Sequence, residues 1–247
     1  MRNKTIGAIA IKTFVLLAAL GMANQAMPQD AATPYPTMAP IEQYLMEQTA
    51  EIALARSAAP DAISRDASIL VLSRHGYETA VQGKNGWVCR VGRAWGAIFD
   101  WPEFWSPKIR AAECLNPAAA RSILPFASKQ TELLLAGHSK VEVIAAIKAA
   151  IDKKELPAIE PGAVSYMMAK SSYLTDSGDH NMPHIMFYAP IKDAAVWGAN
   201  VPNSPVMGVS YWYLSDQSYP QLGSFPPITV FLVGADKWSD GTPAPSM

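Results

Sequence analysis

Residues that carry most catalytic and metal chemistry are scarce in this sequence. Its 247 residues include two cysteines and four histidines, and the cysteines do not form a Cys-x-x-Cys pair. There is no Gly-rich phosphate-binding loop, no Gly-x-Ser-x-Gly elbow, no Ser-x-x-Lys motif and no internal repeat. The sequence therefore offers no standard motif for nucleotide binding, serine hydrolysis or dithiol redox chemistry.

A basic excess is also missing. The whole chain carries a net charge of −1, and residues 1–26 hold three basic and no acidic residues. Without that segment, 17 basic and 21 acidic residues remain, which gives a net charge of −4. Nucleic-acid-binding domains usually carry clustered positive charge. The composition therefore predicts no nucleic-acid partner and no polybasic contact with anionic lipid.

Long apolar runs are absent except near the start of the chain. Three basic residues precede an apolar run at 14–20, and small residues follow it up to Ala23 and Ala26. This pattern is typical of a secretory signal peptide, and the run is shorter than the roughly 20 residues of a membrane-spanning helix. We predict a signal peptide at 1–26, a periplasmic or secreted location, and no integral membrane segment after cleavage.

The predicted location determines whether the two cysteines are expected to pair. In an oxidising compartment a pair of cysteines usually forms a disulfide. A reactive thiol or a metal site is the alternative, but neither cysteine has a histidine nearby in the sequence. We predict a structural Cys89–Cys114 disulfide.

Prolines and turn signals divide the rest of the chain. Residues 27–38 are Pro-rich and predict a flexible leader, and residues 39–247 predict one α+β domain. A helical pattern covers 40–57. Apolar runs at 68–72, 77–82 and 87–91 predict strands, and the Asn85-Gly86 turn between the last two predicts an antiparallel hairpin.

The second half predicts helices first and strands later. Asn116-Pro117 starts a helix that Pro125 kinks or splits and that ends at Gly137, and a capping box at Ser139 starts another. Apolar runs at 163–169, 185–189 and 228–233 predict strands, whereas 190–227 is expected to be rich in loops. Helices and strands in blocks favour an antiparallel or mixed sheet with an N-terminal helix and an inserted helical hairpin.

A first candidate site is the string Arg74-His75-Gly76 after an apolar strand. It resembles the first motif of the histidine phosphatase superfamily, in which the histidine accepts the phosphoryl group and the arginine neutralises it. His138, in Leu-Ala-Gly-His-Ser, is similar to that family's late histidine motif, although only 63 positions separate it from His75. The resemblance implies a phosphatase in which Arg74, His75 and His138 are catalytic. The alternative is two histidines at surface turns.

A second candidate site is His180-Asn-Met182-Pro-His184. Alternate side chains of an extended segment point to one side, which would bring imidazole and thioether groups together. These ligands suit copper, and nearby aspartates widen the choice to zinc. The alternative is a loop that leads into a strand.

A third candidate is the dense group of aromatic residues at 87–105. Trp101 and Trp105 would stack on a glycan if they face solvent, or form a small core beside the disulfide if they do not.

Taken whole, the chain resembles exported bacterial proteins of no established activity, a resemblance that implies no catalytic residues. We expect a binding or envelope-associated domain for a small molecule, glycan or metal. The alternative is a secreted hydrolase that uses His75 or the His180/His184 pair.

Overall fold

Eight strands form one mixed sheet in the computed structural model, which describes residues 34–176, 182–210 and 225–245. The strands are β1 (Ser68–Leu72), β2 (Tyr77–Val81), β3 (Val88–Gly92), β4 (Ala111–Leu115), β5 (Val164–Met167), β6 (His184–Ala189), β7 (Val206–Ser210) and β8 (Thr229–Gly234). Their spatial order is β2-β1-β3-β4-β5-β6-β8-β7. Among these strands the β1–β3 pair is parallel and each other neighbouring pair is antiparallel.

Five α-helices accompany the sheet within the described residues. They are α1 (Gln48–Arg56), α2 (Asp61–Ser64), α3 (Pro117–Ser122), α4 (Leu124–Leu135) and α5 (Lys140–Asp152), and a short 3-10 helix precedes α1 at Ile41–Gln43. The predicted fold class is confirmed: an α+β chain with a mixed sheet, an N-terminal helix, an inserted helical hairpin and one disulfide. The predicted signal peptide and His180 lie outside the described residues.

The inserted helices begin where the sequence predicts. The Asn116 side chain accepts from Ala119 N and caps α3, and the chain is interrupted near Pro125 so that α3 and α4 are separate helices. The capping box is also formed, because the Ser139 hydroxyl accepts from Glu142 N while the Glu142 carboxylate accepts from Ser139 N. Helices α4 and α5 therefore form the helical hairpin that was expected.

The predicted hairpin across Asn85-Gly86 is wrong. β2 pairs with β1, and β3 lies on the opposite side of β1 and runs parallel to it. The chain crosses the start of β1 at Gly83, where a Cβ atom would lie 2.2 Å from Ser68 N. Only glycine permits so close a backbone approach, so Gly83 sends the chain past β1 before it returns as β3.

The two faces of the sheet have separate cores. The side chains of Cys89, Val91 and Cys114 lie with α1 in one cluster that is rich in alanine. Residues of the opposite face pack with α3, α4 and α5 in a larger cluster. Because neighbouring residues of a strand point to opposite faces, Arg90 and Glu113 lie on the helical-hairpin side, directly across the sheet from the disulfide.

Among the described residues, no helix has both the length and the apolar character needed to cross a membrane.

Candidate functional site: an apolar cavity

A cavity of about 690 Å³ lies between the sheet and helix α4. Strands β3 to β8 supply one wall, and the residues from the end of β3 to Trp101 form part of the rim. Volumes of 300–1,000 Å³ are typical of sites that bury a small organic ligand. The cavity is therefore large enough to be a binding site rather than a packing defect.

Apolar side chains make up most of its surface. On the sheet they come from β5, β6, β7 and β8, and on α4 and its N-terminal cap they follow helical spacing. These residues are Met167, Met186, Val209, Val230 and Leu232 from the strands, and Ile123 and Ala127 from the helix. Because these side chains are apolar, the wall suits an apolar ligand better than a polar one. The two Met side chains are also adaptable in shape.

The floor of the cavity holds a charged pair. Arg90 on β3 and Glu113 on β4 are register partners, and Arg90 Nη2 lies 3.1 Å from Glu113 Oε2. The side chains keep exposed fractions of 9 % and 11 %, and both line the cavity. The two charges are thus nearly dry, compensate each other, and still reach the cavity surface.

Two hydroxyl groups extend this pair across the sheet. The Tyr188 hydroxyl on β6 donates to Glu113 Oε1 at 3.2 Å, and Ser165 Oγ on β5 lies 3.0 Å from the same hydroxyl. Tyr188 lines the cavity as well. A polar chain of Arg90, Glu113, Tyr188 and Ser165 therefore crosses four strands; we call it the floor network.

Tyr77 supports the floor network from the side of β2. Its ring lies under the Arg90 guanidinium, with 5.2 Å between the guanidinium carbon and the ring centroid, and its hydroxyl donates to Val91 O. Burial raises the pKa of Tyr77, while the nearby Arg90 and Arg93 act in the opposite direction. The ring fixes Arg90 in place through a cation–π contact.

Four other polar side chains of the wall, those of Arg93, Trp95, Gln130 and Thr131, bind to the protein itself. Arg93 pairs with Glu51 at 2.9 Å, and both side chains are fully buried. Trp95 Nε1 donates to Thr131 Oγ1, which in turn donates to Ala127 O, and the Gln130 amide donates to Trp95 O. These bonds hold the rim against α4.

The two tryptophans proposed for ligand contact have different places. Trp101 lines the cavity and is half-buried. Trp105 packs against the main core and meets Phe104 edge to face, and its carbonyl accepts from the Tyr44 hydroxyl. The structure therefore places Trp101 at the cavity and Trp105 in the packing of the aromatic segment.

The candidate catalytic residues do not line the cavity. Arg74 and His75 lie exposed in the turn between β1 and β2, where Arg74 pairs with Glu42 at 2.6 Å. His138 is exposed in the turn between α4 and α5, with Nδ1 4.0 Å from Glu142 Oε2. The three side chains are thus placed at two solvent-facing turns.

The copper or zinc hypothesis is only partly covered by the described residues. His184 Nδ1 lies 2.7 Å from Met182 O, which turns the ring toward the backbone, and burial lowers the pKa of His184. His180 lies outside the described residues. Within them, no group of three or more His, Cys, Asp or Glu side chains is placed to hold a metal ion. The metal site stays a prediction.

Sequence reasoning missed the floor network, although a signal for it was present. If Cys89 and Cys114 are antiparallel partners, the residues Arg90 and Glu113 must also face each other. A charged residue inside the apolar strand 88–91 is itself unusual, since buried charges are nearly always paired. Tyr188 gave no comparable signal, because a tyrosine in a strand is common.

Comparison of the chain with protein-family models, with curated proteins and with solved structures found no match in any of the three.

Proposed function

We propose that this protein is a binding protein that encloses a small, largely apolar molecule in the cavity between the sheet and α4. The observation that carries the proposal is the cavity itself: about 690 Å³, with mainly apolar walls and a small number of polar groups gathered at one place. That combination is the usual form of a small-molecule site.

The proposed setting is the periplasm or the extracellular medium. The N-terminal pattern at 1–26 supports it, and the Cys89–Cys114 disulfide is compatible with it. Mass spectrometry of the protein from the fractionated producing cell tests this setting. A mature chain that begins near residue 24 or 27 in the exported fraction is expected, and a full-length chain retained in the cytoplasm would contradict it.

The binding function is tested with an uncharged environment-sensitive dye, N-phenylnaphthylamine. We expect its fluorescence to rise with the purified protein and to saturate at one dye per chain. The substitution Ala127→Phe places a ring in the cavity from α4, where Ala127 is 7 % exposed. A filled cavity should weaken dye binding by at least about tenfold, because protein interiors tolerate little overlap.

Ala136→Phe is the matched control. Ala136 follows the same helix but is exposed and does not line the cavity. This variant should bind the dye like the unmodified protein. Equal dye affinity in all three proteins would place the dye elsewhere and would contradict the proposed function.

A further inference from the structure

We propose that the ligand of this cavity is an uncharged amphipathic molecule whose polar end carries both a hydrogen-bond donor and an acceptor. The inference rests on the proposed binding function and specifies its ligand class. It is carried by the floor network, in which a positive and a negative group lie side by side in a mainly apolar space.

The charges of the described cavity lining cancel. Arg90, Arg93 and Glu113 are the charged residues in that lining. Arg90 is compensated by Glu113 at 3.1 Å, and Arg93 by Glu51, behind the wall, at 2.9 Å. Among the described lining residues, a ligand therefore meets no net charge that its own charge would neutralise.

An anionic end group is disfavoured for two reasons. A carboxylate close enough to contact Arg90 would lie within about 4–6 Å of the Glu113 carboxylate, a distance at which like charges repel strongly. It would also lose its hydration on entering an apolar cavity. Because Glu113 already compensates the charge of Arg90, contact with Arg90 does not recover the hydration free energy that the carboxylate loses.

A cationic end group meets the reverse situation. An ammonium group near Glu113 would lie close to the Arg90 guanidinium, which the ring of Tyr77 holds in place.

A zwitterion would satisfy both floor charges only after two further charges had been removed from water, and desolvation of that kind commonly exceeds the Coulombic gain.

A neutral donor–acceptor group fits the same floor without those penalties. The carbonyl oxygen of an amide would accept from Arg90 while its N–H donates to Glu113 or to the Tyr188 hydroxyl oxygen. Hydrogen bonds to charged groups are about twice as strong as those between neutral groups. Selectivity would then come from the floor network and affinity from the apolar walls of β5 to β8.

The test compares three compounds with one tail: decanamide, decanoate and decylamine. Each displaces N-phenylnaphthylamine from the unmodified protein at about pH 8, where the acid is ionised and the amine is protonated. We expect decanamide to bind at least about tenfold more tightly than either charged compound, since a misplaced like charge is strongly penalised.

The substitution Glu113→Gln tests the cause of this preference. It leaves Arg90 uncompensated, so decanoate should gain affinity and bind at least as tightly as decanamide. Glu78→Gln is the matched control: it removes the same charge from an exposed position on β2, outside the cavity, and should keep the original order.

The outcomes separate the two proposals. Decanoate or decylamine binding as tightly as decanamide to the unmodified protein would overturn the inference, and so would an unchanged order in a folded Glu113→Gln variant. If none of the three displaces a dye that Ala127→Phe excludes, the inference is overturned while the binding function stands. If Ala127→Phe leaves dye binding unchanged, the binding function itself fails.

Discussion

At the scale of single residues, the buried pair Glu51–Arg93 should dominate stability. Glu51 Oε1 accepts from Arg93 Nη2 at 2.9 Å and from Leu72 N at 3.2 Å, and both side chains are fully buried. Glu51→Ala leaves the guanidinium buried without its counter-charge. Breaking a buried ion pair from one side typically removes about 3–5 kcal/mol of unfolding free energy.

Guanidinium-induced unfolding measures this loss. Lys170→Ala removes one partner of the exposed pair Lys170–Asp240 and serves as the control, with an unchanged unfolding midpoint. A loss for Glu51→Ala that is no larger than the change in the control would contradict the expectation.

His184 should make the stability depend on pH. Burial holds the pKa of His184 below its ordinary value of 6.5 in the folded chain. Above about pH 6.5 both states are neutral at this residue. As the pH falls below that value, the unfolded chain takes up the proton first, so the unfolding free energy decreases until the folded pKa is reached.

The substitution His184→Asn isolates this effect, because the asparagine amide can keep the hydrogen bond to Met182 O. Urea unfolding at about pH 7 and about pH 5 should show a smaller difference in the variant than in the unmodified protein. An equal difference in both proteins would assign the pH dependence to other groups.

Residue identity alone predicted some contacts and missed others. The disulfide followed from two cysteines and a predicted oxidising compartment, and the caps at Asn116 and Ser139 followed from local sequence. Trp101 lines a cavity while Trp105 packs in the core. Local sequence could not show this difference, because the two tryptophans lie in the same aromatic segment and have the same side chain.

At the scale of elements, the covalent link between β3 and β4 should contribute measurably to stability. Cys89 and Cys114 are register partners with a sequence separation of 25. In the chain-entropy model a loop of that size stabilises the folded state by about 3 kcal/mol. The double variant Cys89→Ala, Cys114→Ala should lose about that amount in urea unfolding under oxidising conditions.

The matched control uses the unmodified protein with its disulfide reduced, which should show the same loss. If the double variant and the reduced protein both had unfolding free energies within about 0.5 kcal/mol of that of the oxidised protein, the entropic account would be contradicted. Dye binding in the double variant reports separately on the cavity floor. Arg90 directly follows Cys89 and Glu113 directly precedes Cys114, so both floor residues are next to the replaced cysteines.

Two strands escaped prediction for physical reasons. β4 was not among the predicted strands, and its sequence Ala111-Ala-Glu-Cys-Leu115 has no β-branched residue to signal one. β7 lies between prolines, which favour loops, and it is an edge strand, where such flanks are tolerated. Both strands form through pairing with distant partners, which a local pattern does not contain.

At the scale of the whole molecule, a ligand in the cavity should stabilise the fold. Binding to the folded state alone adds about 2.7 kcal/mol when the free ligand reaches about one hundred times its Kd. The thermal midpoint of the unmodified protein should therefore rise with decanamide concentration. Ala127→Phe should show little rise, and Ala136→Phe should respond like the unmodified protein.

The cavity could not be predicted from the sequence even where the fold class could. Its lining combines Arg90, Ala127 and Leu232, which are far apart in the chain and meet only through the order of the strands. The crossing of β1 at Gly83 is one such step, since an ordinary hairpin there would have placed β3 on the other side of β2.

The disulfide also determines how the molecule would respond to mechanical force. Since Cys89 and Cys114 bracket the residues from the end of β3 to Trp101, which form part of the cavity rim, tension applied at the two ends of the chain bypasses that segment. Full extension of the oxidised protein would then fall short of the reduced protein's by roughly 80–90 Å, the contour length of the bracketed residues. This part of the rim would bear no load while the surrounding sheet is pulled apart.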